Sequence, residues 1–230
     1  MKARRLTTRV DDMELKILYD NEALEGFKSG WGFSCWVEGE EKILFDTGAD
    51  ADALLFNMRK FAIDPKSIDK IVLSHEHGDH VGGIRILGEC GDVGVFVPKS
   101  FSSGFKRRLA SQPNVDLNEV DVAKEISEGV FTTGELGRFT KEQSLVVKTG
   151  RGLTVVTGCA HPGLDNILKA ASKLGKIYGV VGGFHGFSRL QTLKGLRLIV
   201  PCHCTSLKRE ILNLYPESSR ECAAGCAIEV

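Results

Sequence analysis

The chain carries no excess charge of either sign: 30 lysines and arginines balance 30 aspartates and glutamates over 230 residues. That balance leaves no overall field to recruit nucleic acid or an anionic membrane, so a small molecule is the expected partner. The basic cluster Lys106-Arg107-Arg108 reads as the solvated face of a helix. Long apolar runs are missing as well. Met1-Lys2-Ala3-Arg4-Arg5 opens like a signal peptide, yet polar residues follow where an apolar segment should stand, and no later stretch is long and apolar enough to span a bilayer. A soluble, cytoplasmic protein is therefore expected. No proline- or serine-rich linker appears, and prolines number only 6, so residues 1–230 are expected to build one domain around one substantial core.

Cysteine is present, but not in the pattern of a staple. Seven is an odd number in a chain too large to need disulfides, which fits a reducing compartment. Cys202, Cys204, Cys222 and Cys226 offer an alternative, a second and structural metal site, although their C-x-C and C-x-x-x-C spacings are looser than the paired C-x-x-C of zinc ribbons. A phosphate-cradling G-x-x-x-x-G-K loop is absent.

Hydrophobic periodicity fills most of what remains. Met13 to Tyr19, Phe33 to Val37, Lys42 to Phe45 and Lys70 to Leu73 have strand lengths and strand composition, and Ala51 to Phe61 has helical spacing. The pattern restarts after the segment from Pro98 to Asn118, which looks variable and is expected to line a pocket. Val130-Phe131, Ser144 to Lys148, Leu153 to Val156, Ile177 to Val181 and Arg197 to Val200 read as strands. Leu164 to Leu174 and Leu207 to Leu214 read as helices. Two blocks of strands followed by strand-helix units predict an α/β fold of two mixed sheets packed on each other with helices outside.

Histidine is scarce, 6 residues in all, and its placement is informative. Directly after the apolar run Ile71-Val72-Leu73 comes Ser74-His75-Glu76-His77-Gly78-Asp79-His80. Imidazole nitrogens and a carboxylate are the usual donors to zinc and its neighbours. In an extended chain, His75 and His77 point to the same side, so both reach one ion. Asp79 and His80 then open the next helix, and Gly78, Gly82 and Gly83 are expected to permit a tight turn and close backbone approach. The other histidines, His161, His185 and His203, each follow a strand-like run. Ligands at the carboxyl ends of adjacent strands converge on one rim of an α/β sheet.

These motifs together resemble the metallo-β-lactamase superfamily of metal-dependent hydrolases over nearly the whole chain. Phe45-Asp46-Thr47-Gly48 corresponds to the first motif, the His75 to His80 cluster to the second and His203 to the terminal one. With Gly158-Cys159-Ala160-His161-Pro162-Gly163 and Gly182-Gly183-Phe184-His185, the chain is similar to a subgroup labelled dihydropterin ribofuranosylaminobenzene 5′-phosphate synthases. The resemblance implies a four-layer αβ/βα sandwich holding one or two divalent metal ions, zinc first and manganese or iron as alternatives. It further implies His75, His77 and His161 as ligands of a first ion, and Asp79, His80 and His203 as ligands of a second. Asp46 would steady the histidine loop and orient an imidazole. The chain departs from the family where Cys159 stands in place of a metal-bridging aspartate, so Cys159 and Glu135 remain open as ligands.

A metal of this kind makes a nucleophile of water near neutral pH. The expected function is hydrolysis of a small soluble ester, with a phosphoester or cyclic phosphodiester preferred. Asp79 would guide the proton and His185 would touch the substrate. Two alternatives stand beside it. One is a synthase or transferase acting on a pterin or phosphoribosyl substrate; the other is a non-enzymatic metal or redox sensor built on the cysteine-rich tail.

Overall fold

Lys42 to Phe45 shows how the sheets form: Ile43 and Phe45 face one side, Leu44 the other, and both sides are buried. The computed structural model describes residues 13–230, and in it this alternation recurs across two mixed sheets. The first contains β1 (Glu14–Tyr19), β2 (Ser34–Glu38), β3 (Lys42–Phe45), β4 (Lys70–Val72), β5 (Val93–Pro98) and β6 (Val115–Val120), side by side in that order. The second contains β7 (Val122–Ser127), β8 (Val130–Gly134), β9 (Leu145–Thr149), β10 (Gly152–Thr157), β11 (Ile177–Gly183) and β12 (Leu198–Cys202), again in sequence order. The chain then returns through β13 (Ala227–Glu229) to pair with β1 in the first sheet. Within each sheet antiparallel hairpins give way to parallel strands, β3 to β6 in one and β10 to β12 in the other.

Three apolar layers explain the stacking. Leu15, Phe33, Phe45 and Val72 of the first sheet meet Val130, Leu145, Val156 and Val200 of the second. On the outer face of the first sheet, Trp36, Leu44 and Leu73 pack against α1 (Ala51–Lys60), which supplies Leu54 and Met58. A short helix, α2 (Gly78–Val81), follows β4, and α3 (Ser103–Ala110) follows β5. On the outer face of the second sheet, Val155, Val180 and Ile199 receive α4 (Leu164–Ala171) and α5 (Lys208–Leu214). In α4 the buried residues Leu164, Ile167, Leu168 and Ala171 fall three and four apart, the stripe that docks a helix on a sheet. The result is the expected helix-sheet-sheet-helix sandwich.

The segment from Pro98 to Asn118 is corrected by the structure in one respect: it is regular, made of the end of β5, all of α3 and most of β6, and Ser102 N–H and Oγ donate to Glu76 between the two histidines. Ser102 caps α3 by accepting the Phe105 N–H, and Phe105 and Leu109 anchor it to the core. With only those two residues buried, the helix left too short a period to read. Arg107 and Arg108 are exposed on it, as expected of a solvated face.

The cysteines need correction too. Cys202 and Cys222 form a disulfide with Cα atoms 5.2 Å apart. Both lie in the core between the sheets, and the pairing of Ile199 with Ser219 brings the two segments together. Cys204, beyond the end of β12, turns instead toward Cys159, and Cys226 packs against the core. The four cysteines therefore do not converge on one metal. Among the described residues, no helix is long and apolar enough to cross a membrane; Met1 to Arg5 lie outside the described residues.

Candidate metal centre

Past the end of β4 the chain bends at Glu76 and is extended again at His77, whose φ and ψ are −86° and 145°. The rings of His75 and His77 on either side of that bend lie 4.5 Å apart, with His75 Nε2 and His77 Nδ1 3.1 Å apart. The turn after β10 brings the His161 ring to 4.8 Å from His75 and 4.9 Å from His77. These three residues each offer a nitrogen within 4.8 Å of the others. Asp79 and His80, on the first turn of α2, form a second such group with Cys159 and His203. The groups adjoin, since the rings of His75 and His80 are 4.2 Å apart.

The structure thus brings together all six residues expected as ligands, and it adds Cys159, whose Sγ lies 3.1 Å from His80 Nε2. Glu135 is in neither group: its carboxylate accepts from the Ser100 N–H and pairs with Lys141. His185 is also outside both, exposed, with its ring 5.0 Å from that of His161. Gly82 and Gly83 allow the close approach expected of them, because a Cβ on either would strike the backbone of Ala49 or Thr47. Gly78 faces open space.

The outward nitrogens of these imidazoles are held by the protein. Asp46 accepts from Ser74 N and Ser74 Oγ, each at 2.7 Å, and from His80 Nδ1 at 2.7 Å. Because the Ser74 hydroxyl donates to Asp46, it is left to accept from His75 Nδ1 at 2.9 Å. His203 Nδ1 faces Asn21 Oδ1 at 2.9 Å, and its backbone N–H donates to Asp20. These contacts present Nε2 of His75, His80 and His203 toward the centre. Sequence reasoning found Asp46 but missed Ser74, Asp20 and Asn21. It also missed Glu142, which is buried and accepts the N–H groups of Cys159, Ala160 and His161.

Backbone strain gathers at the same place. Among the described residues, five non-glycine residues have positive φ, and four of them are Asp46, Ala160, His185 and His203. Such conformations persist where surrounding contacts over-determine them.

The donor set fits a divalent cation. His161 Nε2 and His203 Nε2 are buried without a hydrogen-bond partner, and a buried lone pair with nothing to accept is costly unless a cation takes it. Nitrogen, oxygen and thiol donors together suit the borderline ions of the first transition row.

Charge states follow from burial. Burial first, and then repulsion among neighbouring imidazoles, pulls His75 far below its ordinary value and His161 and His203 down to about 4. These rings are neutral at pH 7, with lone pairs free. His80 is the exception: burial lowers it, but the charge of Asp46 and their hydrogen bond outweigh that and raise it. The Cys159 thiol is held up by Cys204, 3.3 Å away, and by burial. Metal binding requires both groups to shed their protons. Zinc entering the Asp79/His80/Cys159/His203 group is therefore expected to release protons and to bind more weakly as pH falls from 8 to 6. Neither His75 nor His161 would contribute such a release. Calorimetric titration in buffers of different ionisation enthalpy measures the difference; equal proton counts for the two loading steps would contradict it.

A cavity of about 260 Å³ opens beside His161, lined by Phe184, His185, Phe187, Ser188 and Arg189. These residues follow β11, so part of the pocket wall comes from this loop.

A family model described as the metallo-beta-lactamase superfamily matches residues 33–201. The chain belongs to that superfamily. It is 32% identical to the 7,8-dihydropterin-6-methyl-4-(beta-D-ribofuranosyl)-aminobenzene-5′-phosphate synthase of Methanocaldococcus jannaschii, an alignment covering 93% of this chain and 94% of that one. Among solved structures it is similar to Tm1679, described as a metal-dependent hydrolase of the beta-lactamase superfamily, with 30% identity and a TM-score of 0.77 over 95% of this chain and 99% of that one. YhfI from Bacillus subtilis, described as a metallo-beta-lactamase fold protein, shares the fold at 12% identity, with a TM-score of 0.73 over 96% of this chain and 100% of that one.

Proposed function

We propose that the protein is a metal-dependent hydrolase of a small soluble ester, with a phosphoester or cyclic phosphodiester preferred. The observation that carries this reading is the pair of adjoining ligand groups with unpartnered inward nitrogens on His161 and His203. His75, His77 and His161 would hold one divalent ion, and Asp79, His80, His203 and Cys159 a second. A thiolate among the donors favours zinc over manganese. The reading treats residues 1–230 as one functional unit, supported by the core that both sheets share.

When bound, such ions supply Lewis acidity and a water-derived nucleophile near pH 7. The chain's own residues do the rest. The Asp79 carboxylate lies 3.3 Å from His203 Nε2, at the edge of the second group and partly open to solvent, where it can take the proton that the attacking water gives up. His185 stands at the cavity wall without belonging to either group, and it would donate a proton to the leaving oxygen. Replacing His185 with alanine is expected to leave metal content intact and to slow kcat by about 100-fold. Simultaneous loss of metal would make His185 a ligand instead.

A second reading is favoured by the 32% identical relative named as a synthase: a transferase or synthase acting on a pterin or phosphoribosyl substrate at the same centre. Metal analysis, followed by a screen of phosphodiester, phosphomonoester, thioester and lactone substrates and of a labelled pterin acceptor, separates the two. Ester turnover that depends on added zinc supports hydrolysis. Turnover only with the pterin acceptor supports the synthase, and inactivity on all of them with both positions filled would sink both enzymatic readings.

A further inference from the structure

Trp31 is 63% exposed, one of the few large apolar side chains in that position among the described residues, and it belongs to none of the three apolar layers. Its indole ring sits 5.0 Å from the ring of His203, tilted at 63°. An exposed aromatic on a slack loop would mean little. The backbone that carries this one is pinned on both sides. Both flanking residues are glycines, and both are hemmed in: a Cβ on Gly30 would strike the Tyr19 hydroxyl, and one on Gly32, whose φ is +147°, would strike the Asp79 carbonyl. Gly30 N–H donates to Asp20 O at 3.0 Å, Gly32 N–H to Asn21 Oδ1 at 3.2 Å and Phe33 N–H to Asp79 O at 3.3 Å.

Those partners also hold the metal centre. Asp20 accepts the His203 N–H at 2.6 Å, and Asn21 Nδ2 donates to the His203 carbonyl at 3.0 Å. The backbone on either side of Trp31 is therefore fixed by the same residues that fix His203, which seats the indole beside the ligand group. Fold stability gives no reason for a large ring there, since the backbone contacts would survive with a small side chain. An open aromatic surface on a pinned backbone is what a planar ring stacks on, because little backbone freedom is lost when it binds.

We propose that Trp31 is a stacking platform for a planar aromatic group of the substrate, and that the ester handled at the adjoining centre carries such a ring close to its reacting bond. The proposal deepens the hydrolase reading by naming a substrate class. It rests on that reading for the reaction but not for the binding.

The test uses the protein as purified, titrated by calorimetry with phenyl phosphate and with ethyl phosphate. Phenyl phosphate is expected to bind about tenfold or more tighter. It should also perturb the long-wavelength tryptophan emission, which Trp31 supplies because Trp36, the other of the chain's two tryptophans, is buried. Trp31→Ala should erase the preference for the phenyl compound while melting temperature and metal content stay unchanged, and Trp31→Phe should keep most of it. A wild-type protein that binds both phosphates alike, or neither, overturns the proposal, as does an undiminished preference in Trp31→Ala. Metal content and ester turnover are measured separately. Zinc-dependent hydrolysis without aryl preference leaves the hydrolase reading standing alone, and aryl preference without turnover leaves the platform standing alone.

Discussion

Replacing Asp46 with alanine is expected to weaken both proposed metal positions together, each by about 10–100-fold, where removal of a proposed ligand such as His75 empties only one. The asymmetry follows from the hydrogen bonds. Asp46 orients His80, in the second group, directly, and it orients His75, in the first, through Ser74. Without the carboxylate, the Ser74 N–H, the Ser74 hydroxyl and the His80 Nδ1–H all lose their acceptor inside a fully buried site. Stability should fall as well, by about 3–5 kcal/mol, the usual cost of leaving one partner of a buried ionic network alone. In a chain of this length that is a drop in melting temperature of about 6–20 °C. Metal content and a thermal melt measure the two effects. Full stoichiometry at wild-type affinity in Asp46→Ala would show that the histidines are oriented by something else, and loss of one ion alone would break the proposed link through Ser74. Asp46→Asn should fall between, because one amide oxygen can still accept while its NH2 faces a donor.

The sequence made the strands and the histidines legible for one reason: both obey short periods. Alternation along Lys42 to Phe45 and Leu153 to Val156 marks strands buried on both faces, and a spacing of two keeps His75 and His77 together across the bend at Glu76. The division of six residues between two groups came from the family resemblance, and the geometry places them in the same two groups. What stayed hidden acts through backbone or through distance. Asp20 and Asn21 precede His203 by more than 180 positions, and they touch it only because β1 and β12 end at the same rim. Trp31 has no periodic partner. The link between Cys202 and Cys222 depends on a C-terminal segment that runs back past β12. Ser102 to Leu109 buries only two residues, too few to announce a helix. Glu135 looked eligible because the family resemblance puts it near the place of a usual histidine ligand, yet it is occupied by Lys141, and the carboxylate that matters lies seven positions later at Glu142.

Glu142→Ala is expected to disturb both groups from the opposite wall. The loop it holds carries Cys159 for one group and His161 for the other, with Ala160 between them at φ 57°. Three backbone N–H groups converge on the Glu142 carboxylate at 2.9–3.0 Å. Alanine leaves them without an acceptor, at about 1–3 kcal/mol each, which places this among the most damaging single changes outside the ligands themselves. Glu142→Gln separates charge from shape. Burial raises the Glu142 carboxyl from its ordinary 4.5 to about 7, so between those values the folded protein holds a proton that the unfolded chain has released. Folding is favoured below 4.5 on this account, and the advantage is lost as pH rises through 7. Glutamine carries no charge to bury and escapes that loss. In the metal-free protein, the glutamine variant should therefore lose more stability relative to wild type at pH 5 than at pH 8, as denaturant melts at the two values would report. A difference of the opposite sign would mean that the three N–H groups hold Glu142 ionised throughout, and that its anion is a permanent part of the wall facing the proposed metal positions.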